Sequence, residues 1–298
     1  MAALLDATGS QDLVSTSPVT SERDPARLLR NGLAAVSYAA FEDFFVSRTA
    51  EALGAFDGTR VSFRRLPDKL KEAATLGAVR AMNFRVGFEE ASVRLKFVQE
   101  HANFVHSTSM SMYRFSPLTF SPYSTNLTSD DFERALKAVV VDSPWPQLAS
   151  IATRVGYGVV GLRERIAQLL AQRNEAAHSP AADISVADLK QLPHDLLAAA
   201  LAFDAVFCRA ITLICRRDVS SDPNERILNV AKDISIVFLD QAGARIKEVQ
   251  EGRDRAARVY SSLEEALAGA VTRASPGKAL VVVRDAQGRP IDWRVTDF

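Results

Sequence analysis

Apolar residues recur at helical spacing through the first two-thirds of the chain. Asp24-Pro25 supplies an N-cap followed by a proline suited to the first helical position. Leu28, Leu29, Leu33, Val36, Tyr38, Phe41, Phe44, Phe45 and Leu53 then trace one broad face, until Gly54 and Gly58 stop it. A second helical region opens at Leu66-Pro67-Asp68, runs through Leu70, Ala73, Leu76, Val79 and Met82, and continues across residues 83–105. Acidic Ser129-Asp130-Asp131 suits a helix start, with Phe132, Leu136, Val139 and Val140 as its stripe. Pro144-Trp145-Pro146 breaks that helix, and a short one follows over residues 148–155. Gly156-Tyr157-Gly158 makes a turn, and a strongly helical run extends from Gly161 to Ala177. Ser185, with Asp188 three residues on, reads as a capping box. Leu196 to Cys215 is almost wholly apolar, which predicts a helix buried on several sides.

The period changes after Arg217. Residues 218–224 read as a linker, Ile234 to Leu239 as a strand, and Ala242-Gly243 as a turn into a second strand over Arg245 to Val249. Residues 253–272 carry helical spacing, and Ala279 to Val283 is a strong strand that returns, through Asp285-Ala286-Gln287-Gly288, as Ile291 to Val295. The expected fold is therefore mainly α, with residues 1–24 as a tail, 25–218 as a helical domain, and 219–298 as a small α+β module. Residues 106–130 form a long Ser/Thr/Pro-rich connection with interleaved methionines and aromatics, which should pack back on the helices. No internal repeat is visible.

Composition narrows the function classes. Formal net charge is zero over 298 residues, so any nucleic-acid contact must come from a local basic patch or from one assembled by oligomerisation. The opening Met1 to Leu5 lacks a basic flank and stops at Asp6, so no signal peptide or membrane span is expected and the default location is cytoplasmic. Cys208 and Cys215 lie seven apart on a helical run, a rise of about 10.5 Å, too far for a disulfide between them.

The stretch Arg173-Asn174-Glu175-Ala176-Ala177-His178 carries the chemistry. It places a permanent cation and a titratable imidazole five positions apart at a helix end. Cleaving RNA by internal attack needs a base for the ribose 2′-hydroxyl, an acid for the leaving 5′-oxygen, and a cation for the phosphorane. Histidine suits the first two tasks and arginine the third. Five helical residues turn the side chains about 140° apart, so sharing a face requires the helix to fray at His178, ahead of Pro180. The helix C-terminus favours the imidazolium while Arg173 opposes it, and the sequence leaves that balance open. Both residue types are also common at helix C-termini as partners for bare carbonyls.

Over Leu162 to Ser179 the chain resembles the Arg-Asn-x-x-x-His motif helix of the HEPN superfamily. Leu196 to Cys215 resembles that fold's last helix, and Gly32 to Arg48, with Tyr38-Ala39-Ala40-Phe41-Glu42, resembles the first helix of its RiboL-PSP-type group. The resemblance spans roughly residues 27–217. It implies an up-and-down helical bundle that forms a homodimer with facing motif helices. It also implies a metal-independent, cofactor-free endoribonuclease with Arg173 and His178 as its catalytic pair. Asn174 would position the phosphate or the arginine, and Glu42 would correspond to a polar residue of the first helix. The family context further implies a bacterial toxin or anti-phage effector acting on tRNA or mRNA, with an antitoxin or regulatory partner. The long 106–128 insertion and the C-terminal module depart from the family pattern. The competing expectation is a HEPN-like dimerisation or binding scaffold without catalysis.

Other candidates carry less chemistry. His101 and His106 are five apart, without the i, i+4 partner of a helical zinc site, and suit packing or capping. His194 follows Pro193 at an expected helix start and should be solvated. Gly156-Tyr157-Gly158 is too short for a phosphate loop, and Arg253, Arg255 and Arg258 form a basic edge of an expected helix.

Overall fold

The computed structural model describes residues 25–57, 59, 61–123, 126–158, 161–179, 182–217, 221–243, 245–274 and 278–296. The side chains of residues 176–178 fall outside it, as do the expected tail and Gly58. The helices are α1 (Pro25–Leu53), α2 (Asp68–Glu72), α3 (Ala78–Arg85), α4 (Arg94–Ser107), α5 (Ser129–Ala138), α6 (Pro144–Arg154), α7 (Leu162–His178), α8 (Val186–Cys215), α9 (Val230–Asp233) and α10 (Leu263–Arg273). A π-helical turn, Ala73–Gly77, joins α2 to α3. Strands β1 (Ser235–Ala242), β2 (Arg245–Gln250), β3 (Arg258–Tyr260), β4 (Ala279–Arg284) and β5 (Pro290–Val295) form one mixed sheet. The protein is thus mostly helical, with a small C-terminal sheet.

The hydrophobic effect explains the layout. α8 is apolar on nearly every face and lies at the centre, with α1, α5, α6 and α7 against it. Phe203 of α8 meets Phe45 of α1 and Phe132 of α5 at ring-centroid distances of 4.9 and 5.2 Å. α8 is long and apolar enough to cross a membrane, but its most apolar window is 89% buried inside the protein. Ser185 caps it, accepting the Asp188 N–H at 3.0 Å.

The sheet uses both faces. Its order is β3-β2-β1-β4-β5, with β1 and β4 parallel and the other pairs antiparallel. Strand alternation sends Ile236, Phe238, Leu280 and Val282 into the helical core, and Leu239, Val281 and Val283 toward α10. β4 is covered on both sides, which is why it reads as an unbroken apolar run. Polar clasps fix the sheet to the helices. Arg154 of α6 makes a two-pronged ion pair with Glu251, at 2.7 and 2.6 Å. Buried Asp204 of α8 accepts from Arg48 of α1 at 2.6 Å and from the Trp293 indole of β5 at 2.7 Å.

Several local expectations are corrected. Pro144-Trp145-Pro146 does not merely break a helix; it opens α6, with Pro144 at the position where a missing N–H costs nothing. Pro193 lies inside α8, so no helix starts at His194, which is half-buried. Buried Leu189 and Leu192 before it and Leu196 after it hold both flanks in one core against the lost hydrogen bond. Residues 253–272 are not one helix: Arg258–Tyr260 pairs with β2 as an edge strand, and α10 starts only after the Ser262 cap. Residues 83–105 are interrupted by a 3-10 turn at Val86–Phe88. In the 106–128 connection, Tyr113 and Phe120 pack inward as expected, while Met110 and Met112 stay exposed.

Candidate functional site

Gly161 precedes α7 as its N-cap, at a φ of 69° that is open to glycine without steric cost. Leu162, Ile166, Leu169 and Leu170 bury one face of it against α1 and α8. That anchoring presents Arg173 beside α1 and residues 126–127. The Arg173 guanidinium, 19% exposed, faces the Glu42 carboxylate at 3.7 Å. Its Nη1 donates to the Asn126 side-chain oxygen and, at 3.2 Å, to that of Asn174. The Asn126 amide in turn donates to Asn174 Oδ1 at 2.7 Å. Glu42 Oε1 accepts the backbone N–H of Leu127 at 2.6 Å. α1, α7 and the long connection therefore meet at one charged and amide-lined cluster.

Three of the four site residues expected from sequence converge here: Arg173, Asn174 and Glu42. For His178 the backbone is described and the side chain is not. The helix does not fray before it: α7 includes His178, and Ser179 is the first extended residue, at φ −116° and ψ 115°. That extended geometry is what a following proline imposes. On a continuous helix, positions 173 and 178 lie about 140° apart around the axis and about 7.5 Å along it. Asn126 was not anticipated. It is one asparagine in a Ser/Thr/Pro-rich stretch whose composition carries no sign of which side chain turns inward.

The remaining candidates separate cleanly. His101 packs against Phe97 with the rings tilted by 60° and their centroids 4.4 Å apart, and its Nδ1 lies 3.1 Å from Ser116 Oγ. Burial lowers its pKa, against the raising effect of Glu100 and Glu89, which is the behaviour of a packed imidazole. His106 is exposed. Burial holds the Cys208 thiol well above its ordinary range and pushes Cys215 up to about 11, so neither is a thiolate nucleophile at neutral pH. Arg253, Arg255 and Arg258 are exposed on a turn and the edge strand rather than on a helix.

Comparison with family models, curated proteins and solved structures gave no match to this chain. The chemistry of the cluster rests on its own geometry. A guanidinium held by one carboxylate and two side-chain amides is a pre-oriented donor for an oxyanion, with Asn126 and Asn174 able to turn amide N–H groups toward the same ligand.

Proposed function

We propose that the protein is a HEPN-like endoribonuclease that cuts RNA without a metal, by attack of a ribose 2′-hydroxyl on the adjacent phosphate. The observation that carries the reading is the meeting of Arg173, Asn174 and Glu42, with Asn126, on the helix bearing the Arg-Asn-x-x-x-His string. Arg173 holds the phosphorane oxygens, and Glu42 and Asn126 keep its fork aimed. The His178 imidazole removes the 2′-hydroxyl proton, and a second imidazole delivers a proton to the departing 5′-oxygen. The products are a 2′,3′-cyclic phosphate and a free 5′-hydroxyl. Since positions 173 and 178 occupy different sides of α7, the reading requires two copies with facing α7 helices in an up-and-down bundle dimer. The natural substrates are tRNA or mRNA in the cytoplasm, in the setting of a toxin or anti-phage effector restrained by a partner protein.

A second reading is supported by the same contacts. With its guanidinium held by Asn126, Asn174 and Glu42, Arg173 serves as a tether between Asn126 and α1, and the bundle is a dimerisation scaffold. One experiment separates the two: labelled tRNA and mRNA incubated in EDTA with the full chain and with His178→Ala, over a range of protein concentrations. The nuclease reading expects cyclic-phosphate ends, no cleavage of DNA, specific activity that rises with dimer, and a loss of about 10²-fold or more in the variant. Equal cutting by parent and variant overturns the role of His178, and no cutting by either leaves the scaffold.

A further inference from the structure

A cleft far from Arg173 has the features of a small-molecule site. It consists of two adjoining hollows of about 810 and 530 Å³ that share Lys69, Glu133, Lys137 and Arg163. Ligand pockets commonly measure ~300–1,000 Å³. It lies at the N-terminal end of α7; Arg163 and Arg173 are ten residues apart, a rise of about 15 Å. The Arg173 cluster is therefore a different place.

Four independent observations mark it. The first is backbone strain. Val140 and Ser143, at φ 55° and 44°, are the non-glycine residues with positive φ among the described residues, and both line the larger hollow. A β-branched residue in that region is a true outlier, and such conformations persist where the surroundings force them and gather at ligand sites. Here they swing the chain from α5 into α6 so that Trp145 borders the hollow. Second, the π-helical turn Ala73–Gly77 borders the smaller hollow, and π-turns favour functional positions. Gly77 leaves room there for Tyr123, since a Cβ would stand 2.7 Å from its hydroxyl and force the ring to shift.

Third, the charges are arranged for an anion. Lys69 and Arg80 line the cleft and have no ion-pair partner among the described residues. The N-termini of α6 and α7 both open onto it, and neither carries a side-chain cap. Each presents the positive end of a helix of more than ten residues. Fourth, one wall is apolar and flat. Trp145 is fixed by its indole N–H donating to Glu133 at 3.1 Å, and Glu133 is itself held by Lys137 at 2.5 Å. Carboxylates are interspersed among the cations around the rim, which disfavours a bare polyanion and provides acceptors for hydroxyl groups.

We propose that this cleft binds a nucleoside phosphate, its base against Trp145, its ribose hydroxyls toward the rim carboxylates, and its phosphates at Lys69 and Arg80. The inference is independent of the ribonuclease reading. It is tested by titration calorimetry of the full chain with ATP, GTP, CTP and UTP, with sodium tripolyphosphate as the base-free control. At least one nucleotide is expected to bind one-to-one, with tripolyphosphate about tenfold weaker or worse. Lys69→Ala, at an exposed residue whose loss should leave folding intact, is expected to weaken binding about tenfold or more. Trp145→Phe should retain much of the affinity and Trp145→Ala little; if the alanine variant fails to fold, Lys69→Ala carries the test alone. His178→Ala should bind as the parent does, so this result stands apart from any cleavage assay. No saturable heat with any nucleotide, equal binding of tripolyphosphate, or indifference to Lys69→Ala overturns the proposal.

Discussion

Glu42 holds two groups with its two oxygens, and its substitutions can be told apart energetically. Oε1 accepts Leu127 N–H at 2.6 Å, and Oε2 faces Arg173 at 3.7 Å. Glu42→Gln keeps an acceptor for Leu127 and removes the charge; Glu42→Ala removes both. A unit pair at that separation has a gross attraction of ~4.5 kcal/mol at an effective dielectric of about 20. The Arg173 and Glu42 side chains are 19% and 20% exposed, so desolvation cancels most of that gain. The net sits between the ~0–1 kcal/mol of surface pairs and the ~3–5 kcal/mol of breaking a buried one, and ~1–2 kcal/mol is expected for the glutamine. Alanine also strands an N–H next to the fully packed Leu127, adding ~1–3 kcal/mol. Urea unfolding of the parent and both variants measures the two costs. A double-mutant cycle of Glu42→Gln with Arg173→Ala isolates the pair. A coupling near zero, or an alanine variant no less stable than the glutamine, would show that this carboxylate does not organise the cluster.

Two further outcomes follow from other clusters. Asp204→Ala leaves Arg48, 17% exposed, with the exposed Glu51 and the Cys208 sulfur as partners but no buried carboxylate, and should cost ~3–5 kcal/mol. Because Trp293 of β5 shares that carboxylate, helix circular dichroism and the fluorescence of a Trp145→Phe background, in which Trp293 is the remaining tryptophan, should lose their signals at one common urea midpoint; separate midpoints would contradict this. The Glu133 carboxyl is held below its ordinary 4.5, first by the Lys137 hydrogen bond, then, against burial, by Lys137 charge, Trp145 and Arg163. A depressed folded value means stability present above the unfolded pKa and lost as pH falls through the folded one. The stability gap between parent and Glu133→Gln should therefore be widest at neutral pH and close in acid, and a gap that widens in acid reverses the argument.

Periodicity made the helices legible because burial, not propensity, sets them. Tyr38, Phe41 and Phe45 of the expected face are buried by α1 while Leu28, Leu29 and Val36 stay exposed, and the apolar run 196–215 is the centre of the core. Turn chemistry at Gly243 and the cap at Ser185 were equally local. What escaped was decided by distant partners. Pro193 continues a helix because packing on both sides outweighs one lost hydrogen bond. Val259 and Tyr260 leave a helical pattern because β2 offers a ladder. Asn126 meets Arg173 across 47 residues of sequence, a contact fixed by how the long connection lies over α1 and α7.

The same distinction bears on the ribonuclease reading. An Arg-x4-His string looks like a bipartite site on one strip of helix, yet α7 stays helical through His178. Arg173 is committed to the α1 side by Glu42 and to the long connection by Asn126. A position about 140° further round the same helix faces elsewhere. A phosphate held by Arg173 therefore calls for an imidazole from another chain, and a second copy placed with its α7 antiparallel to the first supplies one from each side. That symmetry also resolves the demand for an acid and a base, which one histidine cannot satisfy within a single concerted transfer. The nuclease and the dimer are accordingly one claim, because in a single copy position 178 lies on another side of α7 from Arg173.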